Sequence, residues 1–267
     1  MKTLKNLLTI VILFFTIVLL NSGCKKKDPQ PDLPPQSTFL MNFNDYDDTT
    51  IQSKTTHANW IYSAANVGIW NIVITVGLAI PVASYAYALN QEPSWDRHNR
   101  MWTWSYNFTF WGVHSANLTA ELEGDTLLWN MKIDDFLWYY GHSNTNGSGG
   151  YWVLNESRAN PTQLLRIDWS INSSGTSLVK YTNVAPSSSS AYKNNGEYIT
   201  YGTVANTEFD RFYNIFLKND TNTSITNLTE IKWNFAHKHG RVKDQNHFGD
   251  TNWHCWNDSL ADDITCP

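Results

Sequence analysis

The chain has 267 residues, of which 42% are hydrophobic, 14% aromatic and only 16% charged, with a formal charge of −5. That length and apolar content suffice for one sizeable core, and 13 Trp, 13 Tyr and 12 Phe exclude a disordered chain. The negative balance leaves no basic surface of the kind that nucleic acid needs.

Lys2 and Lys5 precede an apolar run from Leu7 to Leu20, then Ser22, Gly23 and Cys24. Residues 1–23 read as a secretory signal. Cys24 after small residues resembles the lipobox of bacterial lipoproteins, although Asn21 stands where an aliphatic residue is usual. The resemblance implies a Cys24 thiol that is acylated and becomes the new N-terminus. It also implies a bacterial outer membrane lipoprotein, on the periplasmic or the cell-surface side, whose membrane partner is reached through the lipid. Residues 24–37 follow as a Lys- and Pro-rich tether, in which prolines favour an extended spacer of roughly 40 Å at ~3.1 Å per residue. The lysines beside Cys24 attract anionic head groups. The run also resembles surface-export signals of Bacteroidota lipoproteins.

Residues 38–267 form one expected globular domain, and 58–90 its helical part. No charged residue occurs from Ala58 to Gln91. Asn59, Ser63, Asn66, Asn71 and Thr75 recur at helical spacing, with Trp60, Ile61, Val67, Trp70 and Ile74 on the other faces. Pro81 breaks the pattern. The reading is a buried core helix rather than a membrane span.

From Met101 the period becomes two. Trp102, Trp104, Tyr106, Phe108 and Phe110 alternate with polar residues, and Leu127, Trp129, Met131 and Ile133 repeat the pattern after Gly124-Asp125. Further strands are expected over 136–142, 151–154, 164–171, 178–184, 198–202, 212–217 and 231–239, separated by turn residues. About ten such strands over 101–243 predict a mainly β fold, a long antiparallel meander forming a curved sheet or incomplete barrel around the N-terminal hydrophobic helix. Its aromatic concave face, with Trp102, Trp104, Tyr106, Phe108, Trp129, Trp138, Trp169 and Trp233, is the candidate surface for a hydrophobic ligand. This architecture resembles the half-barrel lipoprotein carriers, which implies acyl-chain binding. The stretches NVGIWNIVITVGLAIPVAS, WTWSYNF, EIKWNF and NWHCW resemble Bacteroidota lipoproteins, a likeness that brings no activity.

In the C-terminal segment, 244–267, Cys255 and Cys266 are the remaining cysteines of an exported chain and are expected to pair. His237 and His239 would share one face of a strand, with His247 as a third zinc ligand; the bland alternative is that they are rim residues. G-x-S-x-G, Gly-rich phosphate loops and H-E-x-x-H are absent from the sequence. The expected function is therefore a non-catalytic, lipid-anchored binding module without a cofactor. A surface interaction or glycan-binding lipoprotein, and a zinc hydrolase built on His237 and His239, are the alternatives. The oligomeric state is not legible.

Overall fold

Each alternating stretch pairs with its neighbours in sequence, so the chain winds into a meander. In the computed structural model, which describes residues 27–40, 56–172, 177–205, 207–218 and 226–266, fourteen strands form one antiparallel sheet in chain order. They are β1 (Ser94–Asp96), β2 (Met101–Thr109), β3 (Val113–Glu123), β4 (Thr126–Ile133), β5 (Phe136–Asn144), β6 (Gly149–Asn155) and β7 (Gln163–Ile171). After them come β8 (Ser177–Asn183), β9 (Tyr198–Thr203), β10 (Arg211–Lys218), β11 (Thr226–Trp233), β12 (Gly240–Lys243), β13 (His254–Trp256) and β14 (Asp262–Asp263). Among the described residues β1 and β14 are the edge strands, and the sheet is unclosed.

The expected meander is present, with two differences at its ends. The short strands β1, β13 and β14 lengthen it beyond the alternating region. The anticipated strand over 231–239 stops at Trp233, where Asn234 to His239 form a turn closed by Asn234 N–H donating to the His239 carbonyl (2.9 Å).

Two helices, α1 (Ala58–Gly77) and α2 (Ala79–Ala88), carry the hydrophobic segment. The break lies at Leu78 rather than at Pro81 itself, because a proline ring collides with the carbonyl four residues earlier, here that of Gly77. Pro81 then sits in the first turn of α2, where its missing N–H is not needed. The start of α1 is capped from the far end of the chain. Asp262 on β14 accepts from the Ala58 and Asn59 N–H groups (3.1 and 2.9 Å), and the Asn59 amide donates to the Cys255 carbonyl on β13 (2.9 Å). On α2, the Ser84 carbonyl accepts from the Tyr106 hydroxyl of β2 (2.6 Å).

These contacts fix the curvature. In a flat sheet β2 and β13 would stand about 53 Å apart at ~4.8 Å per strand, yet helix from Asn59 to Ser84 spans at most about 38 Å. The sheet must curl, and α1 and α2 bridge its opening. The inner face is one apolar core that includes Trp104, Leu118, Trp129, Met131, Trp152, Ile167, Tyr181, Ile199, Tyr213, Ile231 and Trp233.

Two expectations about the N-terminal half change. α1 is not a buried core helix: of its 20 residues Trp60, Ser63, Val67 and Ile74 are buried, while Ile69, Ile72, Val73 and Val76 are 58–70% exposed. By length and composition α1 is apolar enough to cross a membrane. Periodicity misled here because part of the polar stripe points inward, where Ser63 donates to the Asn59 carbonyl and Asn66 to the Tyr62 carbonyl. The tether is also not a free spacer from Lys27 onward. Asp28 pairs with Arg100 (2.7 Å), the Pro29 carbonyl accepts from Trp102 Nε1 (3.1 Å), and the Pro34 carbonyl accepts from the Tyr85 hydroxyl (2.6 Å). Phe39 is fully buried against Tyr85, Tyr139 and Trp152. Cys24 and the signal lie outside the described residues.

Candidate functional site

An apolar hollow of about 450 Å³ lies between α1 and the sheet from β5 to β10. Its size falls within the range of small-molecule sites, roughly 300–1,000 Å³. The helical wall is Asn66, Ile69, Trp70, Val73, Ile74, Gly77, Leu78 and Pro81. The sheet wall is Trp138, Leu154, Leu164, Leu165 and Leu217. Ile69, Val73 and Gly77 are also exposed, so the cleft opens to the surface along that side of α1.

Two β-bulges build the sheet wall. Between β4 and β5, Met131 faces Tyr139 and Lys132 faces Leu137, which leaves Trp138 as an extra residue. Between β6 and β7, Leu154 faces Leu165 and Asn155 faces Gln163, which leaves Leu164 extra. A bulge re-aims one side chain out of the strand's alternation. Both re-aimed residues line the cleft.

At one end the lining turns polar, with Asn155, Glu156, Asn183, Asn194 and Glu197. These groups are largely held by the protein. Asn155 Nδ2 donates to the Leu137 carbonyl (2.7 Å), and Glu156 Oε2 accepts from Asn160 Nδ2 (2.6 Å) and from the Ser189 hydroxyl (3.2 Å). Glu197 Oε1 accepts from the Lys218 N–H (3.0 Å). The lining holds no Ser, Cys, His, Lys or Arg; it is an apolar slot with two carboxylates at its polar residues.

Of the aromatic residues expected to bind a ligand, only Trp138 lines this cleft. Trp102, Trp104, Phe108, Trp129, Trp169 and Trp233 are at most 4% exposed and are spent on the core, as in the Trp104–Trp129 contact at 5.9 Å. Trp169 also borders a smaller hollow of about 160 Å³ beside Leu40 and Tyr201. Tyr106 is held by its bond to Ser84. The sheet wraps a helix as expected, and Phe39 with α1 and α2 packs into the same core as these aromatic residues. Leu164 was missed, since an extra residue in a strand leaves no trace in a period-two pattern.

The three metal-candidate histidines do not converge. His239 Nδ1 is 2.9 Å from Asp258 and its ring lies 6.1 Å from that of His237, both on the β11–β12 side of the turn. His247 follows the other end of β12 and stacks on Tyr62 at 3.7 Å. Among the described residues no group of three or more His, Cys, Asp or Glu is placed to hold a metal ion. The turn at Asn234 is the cause, because it removes the strand on which the His237 and His239 pairing depended. Cys255 and Cys266 are joined as a disulfide, with Cα atoms 5.2 Å apart.

Comparison with known proteins adds nothing to this geometry: no family model, no curated protein and no solved structure matches the chain.

Proposed function

We propose that the protein is a lipid-anchored module of the bacterial cell envelope that holds a hydrophobic ligand, of acyl-chain type, in the cleft between α1 and the sheet. The observation that carries the reading is the cleft itself, about 450 Å³ and lined mainly by aliphatic and indole side chains, two of them turned into it by bulges. The cleft lies beside the exposed apolar face of α1, so a ligand can pass between it and a lipid surface without crossing water. The lining has no Ser, Cys, His or Lys, and each of its two carboxylates is already bonded to the protein, which supports binding over catalysis. Acylation of Cys24 places the anchor three residues before Lys27, at most about 11 Å of extended chain from the docked segment. On this reading the protein is an outer membrane lipoprotein held close to the bilayer. Native mass spectrometry of the detergent-free protein tests it: a co-purified lipid is expected, and a protein that neither carries nor takes up any lipid would overturn the reading.

A second reading, recognition of a surface glycan, is favoured by the outer face of β10 to β12. Trp253 there lies among Lys232, Arg241 and Lys243, whose charged groups are 4.6–5.3 Å from its ring, and Arg241 also covers Phe209. An acidic saccharide suits such a cationic and aromatic surface. Retention of the protein on acidic but not neutral glycans in an array would support it.

A further inference from the structure

We propose that the ligand of the cleft is a single-chain amphiphile with an uncharged, hydroxyl-bearing head group, and that fatty-acid anions are disfavoured. The inference rests on the binding reading above and adds the chemistry of the head.

Two carboxylates, Glu156 and Glu197, are among the polar residues that line the cleft. Glu197 is held beside the end of β8, where the Asn183 N–H donates to its main-chain carbonyl (2.9 Å), and Glu156 accepts from the Ser189 hydroxyl of the loop after β8 (3.2 Å). Both are cleft-lining, and Glu197 is 9% exposed. The bonds to Asn160, Ser189 and Lys218 engage one oxygen of each carboxylate. The other oxygen remains to accept from a ligand hydroxyl, since an ionised carboxylate is acceptor-only. Lys218, whose main-chain N–H binds Glu197, is not part of the lining, and its ammonium donates to the Asn195 carbonyl.

A fatty-acid head placed here would add a third negative charge to two that are already partly withdrawn from water. Like charges brought together in such a site repel one another. A glycerol or sugar head brings hydroxyl donors and no charge. The slot beyond, between Trp70 and Ile74 on α1 and Trp138 and Leu217 on the sheet, takes the tail.

The test is competition on the detergent-free full chain as it is exported, with diphenylhexatriene as the fluorescent probe in the cleft. Monolauroylglycerol, laurate and dodecylamine are titrated against it at pH 7.5, each below its micelle concentration. Monolauroylglycerol is expected to displace the probe at a concentration at least about tenfold lower than laurate does. In the Glu156→Gln, Glu197→Gln double variant that gap should narrow through improved laurate binding. Laurate displacing as well as the acylglycerol, or a gap unchanged in a folded double variant, overturns the proposal. Dodecylamine outcompeting the acylglycerol overturns the uncharged head in favour of a cationic one. Should the double variant not fold, the wild-type ranking alone decides. A chain that binds neither probe nor any amphiphile fails the binding reading itself, a result distinct from the wrong ranking.

Discussion

Tyr62 on α1 donates a 2.6 Å hydrogen bond to Asp244, a fully buried carboxylate 182 residues further along the chain. Asp244 also accepts from the Thr229 hydroxyl, from Asn227 Nδ2 (2.8 Å) and from the Asn246 and His247 N–H groups (both 3.0 Å). It ties β11, the cleft-forming helix and α3 (Gln245–Phe248) to one point, and His247 stacks on the Tyr62 ring above it. Replacing the carboxylate strands several buried donors together, so Asp244→Ala should cost on the order of 3 kcal/mol. Tyr62→Phe keeps the ring stacking and loses one bond to a charged acceptor, about 1.5–3 kcal/mol. Urea unfolding of both variants measures this, and the alanine variant should be the less stable.

The same pair sets a pH window. Burial alone would raise the Asp244 pKa, but the bonds from Thr229, Tyr62, Asn227 and the His247 N–H outweigh it and hold the group below its ordinary value of 3.8. A depressed folded pKa gives stability that is present above the unfolded value and lost as pH falls through the folded one. Tyr62 is the mirror case: burial, then its bond to Asp244, pushes it from 10.0 up to about 12. Its contribution is whole below pH 10 and is lost as pH rises towards 12. Melting temperature against pH should therefore show losses below about pH 4 and above about pH 10. Both slopes should flatten in Tyr62→Phe, and part of the alkaline loss should remain, because burial also raises Tyr85, Tyr106 and Tyr139.

Reduction of Cys255–Cys266 should loosen the cap of α1 as well as the C-terminus. The bridge closes a chain separation of 11 residues around Asp262, which holds the first two N–H groups of α1, while the Cys255 carbonyl holds Asn59. A loop of this size contributes about 2–3 kcal/mol in the chain-entropy model. Cys266→Ser should show that loss in unfolding, together with faster hydrogen exchange in the first turn of α1.

Gly77 offers a way to fill the cleft without disturbing the fold. It lines the cleft at the end of α1, and a Cβ built there meets nothing within 4 Å. Gly77→Leu should leave stability unchanged or raise it by up to about 1 kcal/mol, since glycine is unfavourable in a helix. Amphiphile binding should weaken. Gly68→Ala is the control: its Cβ is equally unobstructed, it lies outside the cleft lining, and the helical gain should come without any change in binding.

Why the strands were readable and the cleft was not follows from particular residues. Trp102, Trp104 and Phe108 keep strict alternation on β2, so their burial was visible as a pattern. Alternation put Trp138 on the concave face together with Phe136 and Tyr140, yet the buried set on β5 is Tyr139, Gly141 and Ser143, and Trp138 lines the cleft at the bulge opposite Lys132. Bulges depend on cross-strand register, which a single strand does not encode. The docking of residues 27–40 was hidden for a different reason. Prolines at 29, 31, 34 and 35 satisfy an extended spacer, and they equally satisfy an extended segment laid over Trp102 and Tyr85, so only the buried Phe39 distinguishes the two.

The outer face of α1 gives the last expectation. Ile69, Ile72, Val73 and Val76 recur at spacings of three and four and are all more than half exposed, an apolar stripe that a helix in water rarely presents. Trp111 adds to the exposed apolar surface elsewhere: it is 90% exposed at the β2–β3 turn, in a left-handed backbone conformation (φ 53°) that a bulky residue seldom adopts. A solvent-facing indole of this kind suits the interface between lipid and water. Ile72→Lys with Val76→Glu removes the apolar stripe without introducing net charge. Both side chains face outward and neither lines the cleft, so stability should change by less than about 0.5 kcal/mol. Each side chain removed from a lipid contact forfeits about 1.5–3 kcal/mol of apolar burial, so vesicle binding by protein lacking residues 1–26 should drop by at least about tenfold in flotation. Unchanged flotation in the double variant would mean that α1 does not face lipid, and that any ligand reaches the cleft through water.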